Sequence, residues 1–200
     1  IMFGFKAFDI VIANPPYIKC SEIPDKAALR EAGYHVYGGT SDLYTYFYEL
    51  AYRLLSEHGV VTYITSNKWL RAAYGQKLRE LLATQTSISL LIDFGGFKVF
   101  ESATVDTNII IFGKEPPTRS QRLRFLNVDR SFNGQNLDEF VLANISKMSQ
   151  NSLGSSVWTL ASSAVHTLKD RVEAIGKPLG MWNLRSFRGV LTGFNEAFII

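Results

Sequence analysis

Cysteine is almost missing from this sequence, with Cys20 the only one in 200 residues. One thiol builds neither a disulfide framework nor a cysteine metal site, and it fits a protein kept in a reducing cytoplasm. The three histidines, His35, His58 and His166, are scattered without the spacing of metal ligands, so no metal is expected. No run of eighteen apolar residues occurs, which excludes a membrane-crossing helix, and no charged n-region with a cleavage site opens the chain. Gly95-Gly96 lacks the G-x-G-x-x-G spacing of a phosphate cradle and no helix follows it. A nucleophile elbow and a P-loop are absent as well, which disfavours a hydrolase or nucleotide-binding reading. Charge of one sign is also scarce: 21 Lys+Arg against 18 Asp+Glu leaves a net +3. That tolerates nucleic acid without the strongly basic footprint of a dedicated binder.

What is present starts with an ordinary globular composition, 46% hydrophobic and 20% charged, enough to bury a real core. The organising stretch is Asp9 to Tyr17, Asp-Ile-Val-Ile-Ala-Asn-Pro-Pro-Tyr. Ile10 to Ala13 form an apolar, β-branched run, as expected of a parallel strand buried on both faces. Pro15 and Pro16 cannot donate to a ladder and end it, while Asn14, preceding a proline, is held extended. Such a turn at the carboxyl end of a strand lies where open α/β sheets bind ligands.

These side chains suit one chemistry. An exocyclic amine on a heteroaromatic ring is a poor nucleophile because its lone pair is delocalised. The Asn14 side-chain oxygen and the Pro15 carbonyl could each accept one of its N–H bonds, localising the lone pair and aiming it at an electrophile. Tyr17 could stack on the ring, as enzymes do with a base taken out of a duplex. A proline-terminated core strand with a turn-capping Asn and a packed Tyr accounts for the same residues, and both readings stay open at this point.

Asn14-Pro15-Pro16-Tyr17 after Phe8-Asp9-Ile10-Val11 resembles the catalytic motif of amino-methyltransferases that use S-adenosylmethionine. Gly59 to Leu70 (GVVTYITSNKWL) and the tail Phe187 to Phe198 narrow the resemblance to N6-adenine DNA methyltransferases of the type IIG restriction–modification group. The motif alone is shared with glutamine side-chain methyltransferases. The resemblance implies the C-terminal half of a Rossmann-like α/β sheet, parallel strands closed by an antiparallel hairpin, with a C-terminal extension. It implies catalytic roles for Asn14, Pro15, Pro16 and Tyr17, and stacking of a flipped adenine between Tyr17 and Phe100. It also places Asn14 and Asp42, in Ser41-Asp42-Leu43-Tyr44, beside S-adenosylmethionine as cofactor, with double-stranded DNA as partner.

Around that motif the chain reads as alternating elements. Residues 18–41 make a polar loop that either orders over substrate or stays floppy. Ser41 caps a helix to about Glu57, with Leu43, Phe47, Leu50, Ala51, Leu54 and Leu55 on one face and Gly59 as its stop. Its tyrosines are read as packing. Val60 to Thr65 is the next buried strand; Ser66 or Asn67 caps a further helix, with Asn67 and Lys68 at the cleft edge. Ser89 to Phe94 and Asn108 to Phe112 are too close for an intervening helix and must be antiparallel. Leu123 to Val128 is a short strand among Arg119, Arg122, Arg124 and Arg130, read as a phosphate contact or a charge-protected edge. Gln135 to Asn144 is a helix, Ser146 to Ser156 a linker, and Ala161 to Ile175 an amphipathic helix. The division expected is 1–131 as a partial catalytic domain and 132–200 as a connection leading into a target recognition domain. Competing readings are a protein glutamine or RNA amino-methyltransferase, and a DNA-binding module without catalysis.

A strand within the first ten residues and an apolar run at the end suggest a piece of a longer protein. The glycine-rich turn that carries most of the methyl-donor site in such enzymes has no counterpart among the thirteen residues before Asn14. The 200 residues alone are therefore expected not to bind S-adenosylmethionine tightly or transfer methyl groups. Titration calorimetry tests this, and a stoichiometric binding isotherm would overturn it.

Overall fold

The apolar runs become six strands of one mixed sheet in the computed structural model, which describes residues 7–101, 105–161 and 163–184. Strands β1 (Phe8–Ala13), β2 (Leu55–Ser66), β3 (Ser87–Asp93), β4 (Thr107–Gly113), β5 (Arg122–Asn127) and β6 (Ser146–Ser149) lie in the order β1-β2-β4-β3-β5-β6. β1 runs parallel to β2 and β3 parallel to β5, whereas β4 is antiparallel to both of its neighbours. The expected α/β sheet and the β3–β4 hairpin are both present. The hairpin folds inward, so β4 fills the place between β2 and β3.

Helix α1 (Lys26–Glu31) lies in the loop after β1, and helices α2 (Leu43–Leu54) and α3 (Gln76–Gln85) cover one face of the sheet. Tyr44, Tyr48, Leu78 and Leu82 pack there with Val61, Tyr63, Ile88, Leu91, Ile110 and Phe112. The tyrosines of α2 are packing residues: the Tyr48 ring meets those of Tyr63, Trp69 and Phe112 at centroid distances of 5.4, 5.7 and 6.3 Å. Each such fully buried side chain contributes about 1.5–3 kcal/mol. Strand alternation sends Ile92 and Leu126 to the other face, where Phe94, Phe132 and α4 (Leu137–Asn144) form a second cluster.

Several expectations are corrected. Among the described residues β1 pairs with β2 alone; Val11 and Ala13 face the packed side, and Ile10 and Ile12 on the opposite face are 67% and 73% exposed rather than buried. α2 ends at Leu54 rather than near Glu57: Leu55 is already extended and pairs with Phe8, so the chain passes from helix into β2 directly. The helix expected from Ser66 breaks into two 3-10 turns, Asn67–Leu70 and Ala73–Gly75, before α3 begins. The buried Arg79 guanidinium collects the carbonyls of Trp69 and Ala72, holding the break open. A Cβ at Gly75 would stand 2.1 Å from the Trp69 carbonyl oxygen, so only glycine fits.

The stretch 146–156 is not a linker. It forms β6, which covers β5 and so removes β5 from the sheet edge, and then delivers Gln150 into the interior. The Gln150 amide donates to the carbonyls of Leu82 and Thr86 and accepts from the Ile88 N–H, joining α3 to β3. The sheet-bearing unit accordingly extends to Ser162, beyond residue 131, and a second compact unit starts at Ser163. That second unit contains α5 (Ser163–Ile175), close to the helix expected there. The tail motif Phe187 to Phe198 lies outside the described residues.

Replacing Gln150 with Ala removes three buried hydrogen bonds and leaves the Thr86 carbonyl and the Ile88 N–H without their side-chain partner, while the Leu82 carbonyl keeps the Thr86 hydroxyl. A loss of roughly 3 kcal/mol or more in urea unfolding is expected, against about 0.5 or less for Leu142→Gln at an exposed position of α4. Equal midpoints for both variants would remove Gln150 from the core's support.

Candidate functional site

At the carboxyl end of β1 the two prolines do what their chemistry requires. The ladder stops at Ala13, Pro15 is buried, and Asn14 is exposed with its amide making no hydrogen bond among the described residues. Tyr17 turns back and donates from its hydroxyl to the Ile64 carbonyl of β2 at 3.4 Å. Burial pushes its phenol above the ordinary range, so the ring stays neutral at physiological pH. Phe100 comes from the loop after β3 and meets Tyr17 at 6.4 Å between centroids, with the planes tilted by 51°. Residues 83 positions apart thus bring two half-buried aromatic rings together, three residues after the exposed Asn14.

A flat heteroaromatic ring between two others needs about 7–8 Å, twice the carbon contact distance of roughly 3.5–4 Å. The Tyr17–Phe100 pair is near that width and would have to open by about 1 Å and turn more parallel.

Asp42 stands at the start of α2. Its Oδ1 accepts from the Cys20 N–H at 3.0 Å and its Oδ2 from the Tyr74 hydroxyl at 3.1 Å, while Tyr74 also bonds Tyr44 at 2.9 Å. Burial, first, and then the neighbouring phenol and carboxylate drive the Tyr44 phenol far upward, so this group is uncharged. Asp42 occupies the helix N-cap position but caps nothing with its side chain, and Ser41, expected to cap, instead donates to the Val36 carbonyl. The visible work of Asp42 is to hold the chain that leaves the motif. Loop 18–41 is fastened elsewhere too. Buried Glu49 accepts from the N–H groups of His35 and Val36, and Lys77 reaches the Tyr37 carbonyl.

Of the β2-edge candidates, Lys68 is exposed, while Asn67 is buried and donates to Asp93 at 2.7 Å. Ser66 does the capping, accepting from the Lys68 N–H. Asp93 and its partner Arg71 were not singled out in the sequence, although a carboxylate inside the apolar run Ile-Ser-Leu-Leu-Ile-Asp-Phe signals a buried, paired charge.

Residues 1–100 match the family profile described as Eco57I restriction-modification methylase, half of the chain. The chain belongs to that family. Among related sequences, the type II restriction enzyme and methyltransferase RM.Eco57I of Escherichia coli is 26% identical over 199 residues, covering 96% of this chain and 19% of its own length. The type II methyltransferase M.BanIII of Aneurinibacillus aneurinilyticus is 33% identical over 105 residues, covering 52% of this chain and 18% of its own. The chain thus spans about a fifth of the length of either relative. Among solved structures, the type IIG restriction endonuclease BpuSI superposes with a TM-score of 0.58 at 17% identity, over 83% of this chain and 22% of its own. A class I S-adenosylmethionine-dependent methyltransferase of Listeria monocytogenes superposes with a TM-score of 0.50 at 16% identity, over 68% of this chain and 41% of its own. These two likenesses establish a Rossmann-like α/β fold for this Eco57I-family chain.

Asp42→Ala releases the Cys20 amide. Thiol labelling of Cys20, the only cysteine, is expected to speed up at least severalfold as the loop opens. An unchanged labelling rate would mean that Asp42 does not hold the loop.

Proposed function

We propose that this chain forms the target-base half of a DNA methyltransferase active site in a restriction–modification protein, acting on the N6 amine of an adenine flipped out of double-stranded DNA. The observation that carries the proposal is the conjunction at one sheet edge of the unpaired Asn14 amide, the Pro15 carbonyl position and the Tyr17–Phe100 ring pair. Family membership supports it, and both relatives are named as methyltransferases.

Each residue then has a role. Tyr17 and Phe100 clamp the faces of the adenine and compensate for its lost stacking in the duplex. The Asn14 side-chain oxygen and the Pro15 carbonyl accept the two N–H bonds of the exocyclic amine. Pro16 stiffens the turn so that neither acceptor drifts. Fixed acceptors of this kind need no reorganisation as positive charge grows on the nitrogen. S-adenosylmethionine would supply the methyl group, its sulfonium leaving as a thioether while the nitrogen sheds a proton to water. Asn14 and Asp42 would flank the donor, Asn14 with an exposed amide and Asp42 with a carboxylate already held by the Cys20 N–H and the Tyr74 hydroxyl. The residues present fit the adenine and one flank of the donor.

The test uses the full-length protein and labelled S-adenosylmethionine, with DNA and bulk cell protein as competing acceptors. Label is expected on DNA adenine and should fall by about a hundredfold or more in Asn14→Ala, the scale of losing a preorganised oxygen or nitrogen contact to the reacting group. Label on protein, or on DNA regardless of Asn14, would replace this reading with a glutamine-modifying enzyme or a different site.

A further inference from the structure

Asp93 ends β3 and is 2% exposed, yet it is ionisable and lies on no part of the motif. Its Oδ1 accepts from Asn67 Nδ2 at 2.7 Å and from the Gly95 N–H at 3.0 Å, and its Oδ2 accepts from Arg71 Nη2 at 2.8 Å. Three segments therefore meet on one carboxylate: the carboxyl end of β2, the turn after it, and the start of the loop that carries Phe100. Gly95 adopts φ +54°, and the Phe97 N–H closes a turn onto the Phe94 carbonyl, so the loop's direction is set within four residues of Asp93.

The same end of β2 also carries the other ring. Tyr17 is held on the Ile64 carbonyl, three residues before Asn67. One aromatic wall is thus tied to β2 directly and the other through Asp93. We propose that Asp93 is a positioning residue for methyl transfer, fixing the Phe100 wall against the Tyr17 wall so that the slot has the width of one base. The inference rests on the reading of the slot as an adenine site. Losing the anchor lets Phe100 move away, and displacements near 1 Å in a reacting geometry cost up to about a hundredfold in rate. Arg71 tunes the anchor from outside: its side chain is 59% exposed, and its charge neutralises a carboxylate that burial would otherwise penalise.

The experiment uses the full-length protein with Asp93→Asn, Arg71→Gln and Arg71→Lys, and DNA whose target adenine is replaced by 2-aminopurine. In Asp93→Asn, kcat is expected to fall tenfold or more at an S-adenosylmethionine KM within about twofold, the pattern of a lost transition-state constraint. Emission from the bound 2-aminopurine should rise, because a loosened aromatic slot quenches it less. Arg71→Gln should move both readings the same way, by less, and Arg71→Lys should restore them. A carboxylate that only stabilised the sheet would lower the melting temperature and the active fraction while leaving kcat per active site and emission unchanged; that result overturns the proposal. If Asp93→Asn does not fold, the exposed Arg71 pair decides alone, with wild-type kcat and emission in Arg71→Gln overturning it. A wild-type protein that puts no methyl on DNA would instead defeat the adenine-site reading, and is told apart by that control.

Discussion

Two consecutive residues without an amide hydrogen set the terms for this molecule. Pro15 and Pro16 cannot extend the β1–β2 ladder, so the strand must stop, and the residue before them must stay extended. Stopping the strand is what frees Asn14 from backbone pairing and throws Tyr17 across to β2, where it finds the Ile64 carbonyl. The chain beyond is then drawn down by the Ile18 carbonyl, which accepts from the Leu43 N–H, and by Asp42 on Cys20. The site's side chains come from sequence positions 14 to 100, yet each takes its bearings from the carboxyl end of one strand.

That dependence explains the uneven distribution of buried polar groups. Glu49, Arg79, Asp93 and Gln150 are each buried at a junction between elements, and each satisfies two or more partners outside its own element. A polar side chain left half-satisfied inside would cost about 1–3 kcal/mol, so these residues specify one arrangement by making the alternatives expensive. The apolar core supplies cohesion, and the junction residues supply geometry.

The features legible in the sequence were those with a local cause. Continuous apolar runs located β1 to β4, the short spacing between β3 and β4 forced the hairpin, and the proline pair marked the end of β1. Phe100 was reached only through resemblance, since a lone phenylalanine in a loop carries no local signal. The features that escaped have distant causes. Nothing near residue 66 says that Arg79 will take the carbonyls of Trp69 and Ala72 and break a helix. Ser-Lys-Met-Ser gives β6 a single buried side chain, Met148, too little to distinguish a strand from a linker. β1 looked buried on both faces because its composition is apolar throughout, whereas among the described residues only the face carrying Val11 and Ala13 is packed.

The place of β4 also bears on how the chain acquires its shape during synthesis. β4 pairs with β2 through seven residues and with β3 on its other side, and it is the bridge between the β1–β2 pair and the β3–β5–β6 group. A nascent chain emerging from the ribosome can build the first pair once Ser66 is out, but β2 and β3 wait, edges bare, until Gly113 has followed. Such long-range pairing is slow and aggregation-prone. Residues 67 to 113 are therefore the stretch over which a growing chain most needs shelter, and a pause in translation after Asp93 would leave one edge of β2 and the whole of β3 waiting for β4.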